Sequence, residues 1–307
     1  MNLFGSPTLV YWIAWQRPVF GLLLLLVSFI SKASIWVMQN NDDVVGELQY
    51  VTAQIGETLG EVGLRYDMGF NEMANANPGV DPAKPLPTGI RLLIPSQYVL
   101  PHVAHQGVVI NLAEYRLYYF PPGDNVVISM PVGIGRLGWN TPIGQTKIIS
   151  KERDPTWRPS AKLRAEAKKN GAPIPDQFPP GYGNPLGRHV LRLGWPTYLI
   201  HGTNRRDGVG LRVSAGCIRM MPEDIEYLFE QIEVGTLVRV INEPIKLGHL
   251  NGSRYLEVHP LIDAPHHENL VTVFNKKTTG LPDFIGKKNA FIEKELKAPS
   301  GVPRKIS

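Results

Sequence analysis

The stretch YLIHGTNRRDGVGLRVSAGCIRM, residues 198–220, ends an apolar strand at His201 and closes on Gly216-Cys217 after a turn-rich loop. Cys217 is the only cysteine among 307 residues. A thiol needs a base to become a useful nucleophile at neutral pH, and a strand-end histidine can serve as that base across a loop. A lone cysteine is, however, often a small buried hydrophobe, so the pair alone leaves catalysis and packing as alternatives.

The residues around the pair are more specific. His201 and Gly202 precede the loop, and SAGCIR, residues 214–219, follows it. This pattern resembles the signature of the L,D-transpeptidase catalytic domain, in which a His, a loop and Ser/Thr-His-Gly-Cys precede an apolar residue and Asn or Arg. One position departs from it, because Ala215 stands where many members carry a second His. The family base is generally assigned to the first His, so the departure concerns fine-tuning rather than the chemistry.

The resemblance implies catalytic roles for four residues. Cys217 attacks an amide carbonyl, and His201 holds or receives the proton. The backbone N–H groups around Gly216 and Cys217 are the candidate oxyanion donors, since glycine permits a close approach. The carbonyl oxygen of Gly202 or Thr203 is expected to orient the imidazole.

Candidate substrate contacts are Arg219, Ser214 and Thr203. In an extended segment, Arg219 points the same way as Cys217 and would meet a substrate carboxylate. The alternative for Arg219 is a buried structural ion pair. Arg212 is interpreted as a structural or rim residue.

The reaction implied by the resemblance acts on peptidoglycan tetrapeptide stems. Family enzymes attack the L,D bond between diaminopimelate and D-alanine, release D-alanine and pass the acyl group from a thioester to an amine. That amine belongs either to another diaminopimelate, giving a 3-3 cross-link, or to the C-terminal Lys of an outer-membrane lipoprotein. No cofactor is implied, and the eight histidines show no HExxH spacing that would indicate a metal site.

Two other functions stay open. On the same fold, an L,D-carboxypeptidase would use water in place of the amine, and the difference lies in how the acceptor side excludes water. A non-catalytic peptidoglycan-binding protein is the other alternative; Ala215 hints at it and the intact His201/Cys217 pair opposes it.

The N-terminus predicts export. Arg17 is the first charged residue, an apolar run follows over residues 19–30, and Ser31-Lys32-Ala33 offers a small-x-small cleavage site. Residues 1–33 are therefore expected to be a signal peptide, with an uncleaved anchor as the alternative. Either way the remaining chain is expected outside the cytoplasm, and the family resemblance implies the periplasm. A single cysteine there has no disulfide partner, which favours a chemical role.

Residues 48–97 form a separate unit in the sequence pattern, with short strands at both ends and two short helices between them. The run Gly56 to Leu59, an Ala-Asn-Pro centre and a Gly-x-x-Leu-x-Ile-Pro close resemble the LysM module, although Ala53 stands where Val is usual. That family binds glycans containing N-acetylglucosamine. The alternative is a purely structural βααβ unit.

From Gly107 the pattern becomes serial hairpins, which predicts a mainly β fold. The expected architecture is a β-sandwich catalytic domain over residues 104–242, preceded by the small βααβ module. A Thr-Pro-x-Gly run at residues 141–144 also resembles the transpeptidase family. The Pro/Gly-rich stretch 150–187 is a candidate lid, with Trp157 and Tyr182 as possible wall residues.

Residues 243–307 are expected to be an extension: a hairpin around Asn251-Gly252, then a basic tail with little periodicity. The formal net charge is +5, and residues 266–307 hold eight Lys/Arg against four acids. This charge distribution argues against a nucleic-acid groove in the folded part and favours weak affinity for an anionic surface, with a solvated tail as the alternative.

Overall fold

The computed structural model describes residues 34–39, 42–263, 268–281 and 290–306, so the predicted signal peptide lies outside the described residues. Strand β1 (Ser34–Val37) pairs antiparallel with residues 126–129 of the main sheet. Residues directly after the predicted cleavage site are thus part of the fold. Within the described ranges, no helix combines the length and apolarity needed to cross a bilayer.

The segment 42–47, between the first strand and the βααβ unit, contains strand β2 (Val44–Gly46). It pairs with β5 (Gln97–Val99), on the far side of the βααβ unit. Val44 and Val45 are buried. Two consecutive buried valines provide the apolar contacts that a free linker would lack.

The strand-helix-helix-strand prediction for the next unit is confirmed. Its elements are β3 (Gln49–Thr52), α1 (Leu59–Arg65), α2 (Phe70–Ala76) and β4 (Arg91–Ile94), with β3 and β4 antiparallel. Thr58 caps α1 and forms a capping box with Glu61, as the Thr-Leu-Gly-Glu order favours. Leu59 and Met73 are fully buried between the helices and the sheet.

The main body is built from nine further strands and two helices: β6 (Gly107–Asn111), β7 (Arg116–Phe120), β8 (Val126–Gly135), β9 (Gly144–Arg153), α3 (Ala161–Lys169), β10 (His189–Leu193), β11 (Leu199–His201), β12 (Arg212–Ser214), β13 (Ile218–Met220), α4 (Pro222–Gln231) and β14 (Leu237–Ile241). The sheet order is β8-β13-β11-β10-β9-β14-β6-β7, and β7 pairs again with β8. The predicted β-sandwich is therefore closed along both edges, like a barrel, which leaves few unpaired strand edges. β11 and β13 are parallel neighbours, and this brings the two ends of the 198–220 stretch together.

The interior of this body is apolar on one face of each strand. Ile200, Ile218 and Met220 belong to the large buried cluster, with Leu228 of α4 packed against it. Side chains of a strand alternate between faces, so the neighbouring residues of β11 and β13 face the other side of the sheet. That opposite face carries the candidate site.

The C-terminal extension is more ordered than the sequence indicates. The hairpin β15 (Ile245–Leu250) and β16 (Ser253–Val258) turns at Asn251-Gly252 as predicted, both with positive φ, and β17 (Arg304–Lys305) adds a third strand. Helices α5 (Leu270–Thr278) and α6 (Ala290–Lys297) pack on this sheet. Phe274 and Ile292 are almost fully buried, so the described part of the tail is folded rather than solvated.

A buried ionic network joins the extension to the main body. Glu114, Glu257 and His259 bring ligand atoms within 4.8 Å of one another, a spacing that a metal ion could use. The Lys246 Nζ, however, lies 2.7 Å from Glu114 and 2.9 Å from Glu257. Its ammonium supplies the positive charge that the buried carboxylates need.

The βααβ unit is docked on the main body through a buried arginine of β7. Arg116 donates to both carboxylate oxygens of Glu72, at 2.7 and 3.1 Å, and to the Asp67 carbonyl at 3.1 Å. Its guanidinium also lies 4.5 Å from the centre of the Tyr98 ring. Its Nη1 also donates to the Ser129 Oγ at 3.1 Å, so all three guanidinium nitrogens are engaged and the contact is specific in orientation as well as in charge.

A pair of buried carboxyl groups meets at the same interface. Asp67, in the turn after α1, and Asp224, at the start of α4, are 6% and 0% exposed. No described residue donates a hydrogen bond to their four oxygens, yet the two side chains lie within hydrogen-bonding reach of each other. Carboxylates only accept, so a bond between them requires that one keeps a proton.

Burial and then the Asp224 charge raise the pKa of Asp67 well above its usual range, and burial raises the pKa of Asp224 to about 7. The charged neighbours that face the pair are Arg116 and Arg206, which lower these pKa values, and Glu72 and Glu223, which raise them.

We expect Asp224→Asn to raise the free energy of unfolding at pH 8, by on the order of 2 kcal/mol, and to change it little at pH 4. The folded pair keeps a proton that both groups lose in the unfolded chain. Wild-type stability therefore falls as pH rises from the ordinary Asp pKa, about 4, through about 7. The amide of the introduced asparagine can donate a hydrogen bond to Asp67, so the pair no longer has to retain a carboxyl proton. Thermal unfolding of the full chain at both pH values measures the effect.

The control is Glu223→Gln, which removes the adjacent acid outside the pair. It should not raise the unfolding temperature, because an acid in the first turn of α4 is favourable. A fall in stability for Asp224→Asn at pH 8 would contradict proton sharing.

Candidate functional site

The register of β11 and β13 assembles the site. His201 pairs with Arg219, so their side chains lie on the same face, opposite the large apolar cluster. Cys217 directly precedes β13 and packs against a small apolar cluster on that face, which includes Leu199 and Trp157. The structure therefore brings together the three residues on which the sequence prediction depends most.

His201 is held in one orientation by the backbone. It is buried, and its Nδ1 lies 2.6 Å from the Gly202 carbonyl oxygen. A carbonyl only accepts, so Nδ1 carries the proton and Nε2 is left as the base. The Leu186 carbonyl also lies near the ring and, like the Gly202 carbonyl, favours its protonated form. Of the two expected orienting carbonyls, Gly202 therefore contacts the imidazole.

Both members of the Cys/His pair are neutral near pH 7. Burial, and then the positive charge of Arg219, lowers the pKa of His201 to about 4. Burial raises the pKa of the Cys217 thiol to about 11, against the opposing effects of a Leu199 backbone hydrogen bond and Arg219. The resting site thus holds a thiol and a free base rather than a preformed thiolate, and the proton moves when the thiol attacks.

The loop before Cys217 is fastened by its own hydrogen bonds. The Ser214 Oγ donates to the Cys217 carbonyl at 2.6 Å and accepts from the Gly216 N–H at 3.1 Å. Ser214 is 4% exposed. Its hydroxyl is thus engaged within the loop, a different position from the substrate contact expected for it.

The same bonds separate the two candidate oxyanion donors. The Gly216 N–H is engaged by Ser214, whereas none of the hydrogen bonds described for this loop uses the Cys217 N–H. The Cys217 N–H is therefore the donor available to an incoming oxyanion.

Gly216 has no acceptable replacement. Its φ of 101° lies where side chains are strained, and an added Cβ would come 2.8 Å from the Tyr198 ring. The motif therefore requires glycine at position 216 for steric reasons, independently of any role of the Gly216 N–H.

Arg219 lies beside Cys217 without a counter-ion among the described residues. Among the described residues it forms no ion pair, and its buried Nε has no hydrogen-bond acceptor. Its guanidinium packs so closely on Gly208 that an added Cβ there would lie 2.4 Å from an Arg219 nitrogen. Burial and the charge of Arg205 lower its pKa, while Asp207 opposes them. The structural ion-pair alternative thus has no partner here, and an anionic ligand would supply the missing acceptor.

Thr203 serves the turn after His201. Its hydroxyl donates to the Arg205 carbonyl at 3.0 Å and accepts from the Arg205 N–H at 2.9 Å. It is 4% exposed, so it lies behind the site rather than on its surface. Arg212 binds Asp263 through both carboxylate oxygens, at 2.8 and 2.9 Å, as a rim residue would.

The stretch 150–187 contributes a wall. Glu166 of α3 accepts from Arg136 at 2.6 Å and from the Trp139 indole at 2.9 Å, so α3 is docked on the loop that lies over Gly216. Trp157 packs against the same small apolar cluster as Cys217, as expected for a wall residue, whereas Tyr182 is fully exposed.

Sequence reasoning missed several supporting groups. The Leu186 carbonyl reaches His201, and Asn184 holds that segment by donating to the Pro155 carbonyl at 2.6 Å. The Thr197 carbonyl lies 3.6 Å from the Cys217 sulfur. Backbone carbonyls leave no residue-type signal in the sequence, which is why these groups were missed.

Comparison with known proteins finds several that are similar to this chain. The YkuD family model, described as the L,D-transpeptidase catalytic domain, matches residues 105–240. The probable L,D-transpeptidase YbiS of Escherichia coli (strain K12) is 40% identical over 306 residues, covering 95% of this chain and 98% of that protein. The probable L,D-transpeptidase YcfS of the same strain is 44% identical over 236 residues, covering 75% and 73%. Among solved structures, the catalytic domain of the E. faecium L,D-transpeptidase aligns with 46% of this chain and 100% of that one, at 22% identity and a TM-score of 0.36.

Proposed function

The chain belongs to the L,D-transpeptidase family, and from that premise we propose that it transfers peptidoglycan stem peptides through a thioester on Cys217. The observation that supports this most is the parallel pairing of β11 and β13, which puts His201 and Arg219 side by side next to the only thiol.

The first half-reaction forms the thioester. The Cys217 sulfur attacks the carbonyl carbon between diaminopimelate and the terminal D-alanine while the His201 Nε2 takes the thiol proton. The Cys217 N–H donates to the oxygen as it becomes negative. The carbon–nitrogen bond then breaks, the His201 proton passes to the leaving amine, and D-alanine departs.

In the second half-reaction an amine attacks the thioester carbon. His201 removes a proton from that amine, the new amide bond forms, the carbon–sulfur bond breaks and the proton returns to the sulfur. A diaminopimelate amine gives a 3-3 cross-link, and the C-terminal Lys of an outer-membrane lipoprotein gives a wall anchor. Water in the same position would make the protein an L,D-carboxypeptidase.

The remaining parts have supporting roles. The βααβ unit, 48–97, is proposed to hold the enzyme on N-acetylglucosamine-containing glycan as a LysM module. Residues 1–33 are proposed to export the chain to the periplasm, where its peptidoglycan substrate lies.

Arg219 is proposed to bind a substrate carboxylate. We expect Arg219→Met to raise the KM for a tetrapeptide about 10- to 100-fold, because one charge-assisted contact is lost. The thermal unfolding temperature should not fall, since Arg219 has no ion-pair partner among the described residues. Steady-state release of D-alanine gives KM, and a stem with amidated carboxylates is the matched substrate control. An unchanged KM, or a large loss of stability, would contradict the assignment.

Mass spectrometry tests the whole proposal. The protein is incubated with a disaccharide tetrapeptide, with and without a second stem as acceptor. An acyl adduct on Cys217, released D-alanine and a dimer joined through two diaminopimelates support a 3-3 transpeptidase. An adduct without dimer indicates hydrolysis or a lipoprotein acceptor, and the absence of any adduct supports a non-catalytic binder.

A further inference from the structure

Thr141 lies in the loop between β8 and β9 and is 7% exposed. Its Oγ1 donates to the Gly216 carbonyl oxygen at 2.9 Å and accepts from the Gly135 N–H at 3.1 Å. The hydroxyl has one proton, and Gly135 occupies the acceptor side, so that proton is directed to Gly216. In the sequence, the Thr-Pro-x-Gly run indicated only a resemblance to the family and predicted no role for Thr141.

The Gly216 carbonyl and the Cys217 N–H belong to one peptide group. The atoms of a peptide group are coplanar, and in the trans form C=O and N–H point in opposite directions. A bond that holds the Gly216 carbonyl therefore also sets the direction of the Cys217 N–H. Ser214 bonds to the Gly216 N–H and to the Cys217 carbonyl, which belong to the two neighbouring peptide groups. Neither bond holds the Gly216 carbonyl or the Cys217 N–H.

The need for such an anchor follows from Gly216 itself. Its φ of 101° belongs to a residue with unusual backbone freedom. An oxyanion donor accelerates a reaction only if it is oriented before charge develops. Without a bond to the Gly216 carbonyl, the peptide between Gly216 and Cys217 could rotate away from the reacting carbon.

We infer that Thr141 is a positioning residue for the transpeptidase reaction: its hydroxyl holds the Gly216–Cys217 peptide so that the Cys217 N–H faces the developing oxyanion. This inference rests on the proposed function. It adds a residue that lies outside the His/Cys motif and acts through the backbone of the nucleophile.

Two reactions of the same sulfur separate this role from a general effect on the thiol. Acylation by a tetrapeptide passes through an oxyanion. Alkylation by iodoacetamide forms a sulfur–carbon bond at a saturated carbon and expels iodide, so it needs no oxyanion donor. Both rates are measured on the full chain for wild type, Thr141→Val, Thr141→Ser and the control Thr146→Val, in β9.

We expect Thr141→Val to slow acylation about 10- to 100-fold through kcat, with KM little changed and alkylation within about twofold of wild type. Thr141→Ser keeps the hydroxyl and should restore most of the acylation rate. Thr146→Val should match wild type in both reactions.

An acylation rate for Thr141→Val equal to that of wild type would overturn the inference. Equal slowing of acylation and alkylation would also overturn it, because Thr141 would then act through the thiol or the fold. If Thr141→Val does not fold, Thr141→Ser alone tests the inference. A kcat for Thr141→Ser far below that of wild type would then overturn it. A wild-type protein that forms no acyl adduct overturns the proposed function itself, and is recognised before any variant is compared.

Discussion

Cys217→Ser is expected to reduce thioester or ester formation with a tetrapeptide by roughly 10⁴-fold or more. The base beside it is weak, because burial lowers the pKa of His201 to about 4. Such a base can assist a thiol, but a serine hydroxyl holds its proton far more tightly and is a poorer nucleophile when neutral. Single-turnover release of D-alanine, followed with excess enzyme, measures the loss.

The fold should tolerate this change, since Cys217 is only partly buried and forms no disulfide. Unchanged thermal unfolding of Cys217→Ser therefore serves as the control. D-alanine release at the wild-type rate by this variant would exclude the thioester mechanism and leave the family assignment without its expected chemistry.

His201→Ala is expected to slow acylation about 10²- to 10⁴-fold near pH 7 and to change the shape of its pH dependence. In wild type the thiol and the imidazole are both neutral between pKa values of about 4 and about 11, so the acylation rate should be flat across neutral pH. Without the base, only free thiolate reacts. The rate of the variant should then rise about tenfold per pH unit until the thiol titrates.

Rapid-quench measurement of the acyl adduct from about pH 5 to 9 distinguishes the two profiles. His105→Gln is the matched control, because His105 stacks on Phe120 at the end of β7 and is not one of the candidate site residues. A wild-type rate that itself rises tenfold per unit would show that His201 does not act as the base.

Much of this architecture follows from local patterns. The strand-turn-strand order around Asn251-Gly252 and the capping box at Thr58 depend on a few neighbouring residues, so propensity and turn chemistry were sufficient to predict them. The C-terminal helices were missed. Leu270 and Phe274 pack against a sheet formed by residues distant in sequence, and short helices depend on such packing more than on their own periodicity.

The residues of the candidate site also differ in whether the local sequence was enough to predict their contacts. The His201/Cys217 pair and Arg219 were predicted by residue type and spacing. Ser214 and Thr203 were expected at the substrate, yet both hydroxyls are engaged by nearby backbone groups. A hydroxyl in a motif contacts either a ligand or its own loop, and the choice depends on the path of the backbone.

The sequence by itself therefore indicated the family, a candidate nucleophile and base, and the positions of most strands along the chain, because these depend on residue identity and short-range periodicity. Only the tertiary structure decided that Cys217 and His201 are both neutral, that Arg219 has no counter-ion among the described residues and that Thr141 holds the peptide before Cys217. Desolvation, charge pairing and hydrogen-bond direction depend on distances between residues far apart in the chain, and those distances exist only once β8, β11 and β13 lie in one sheet.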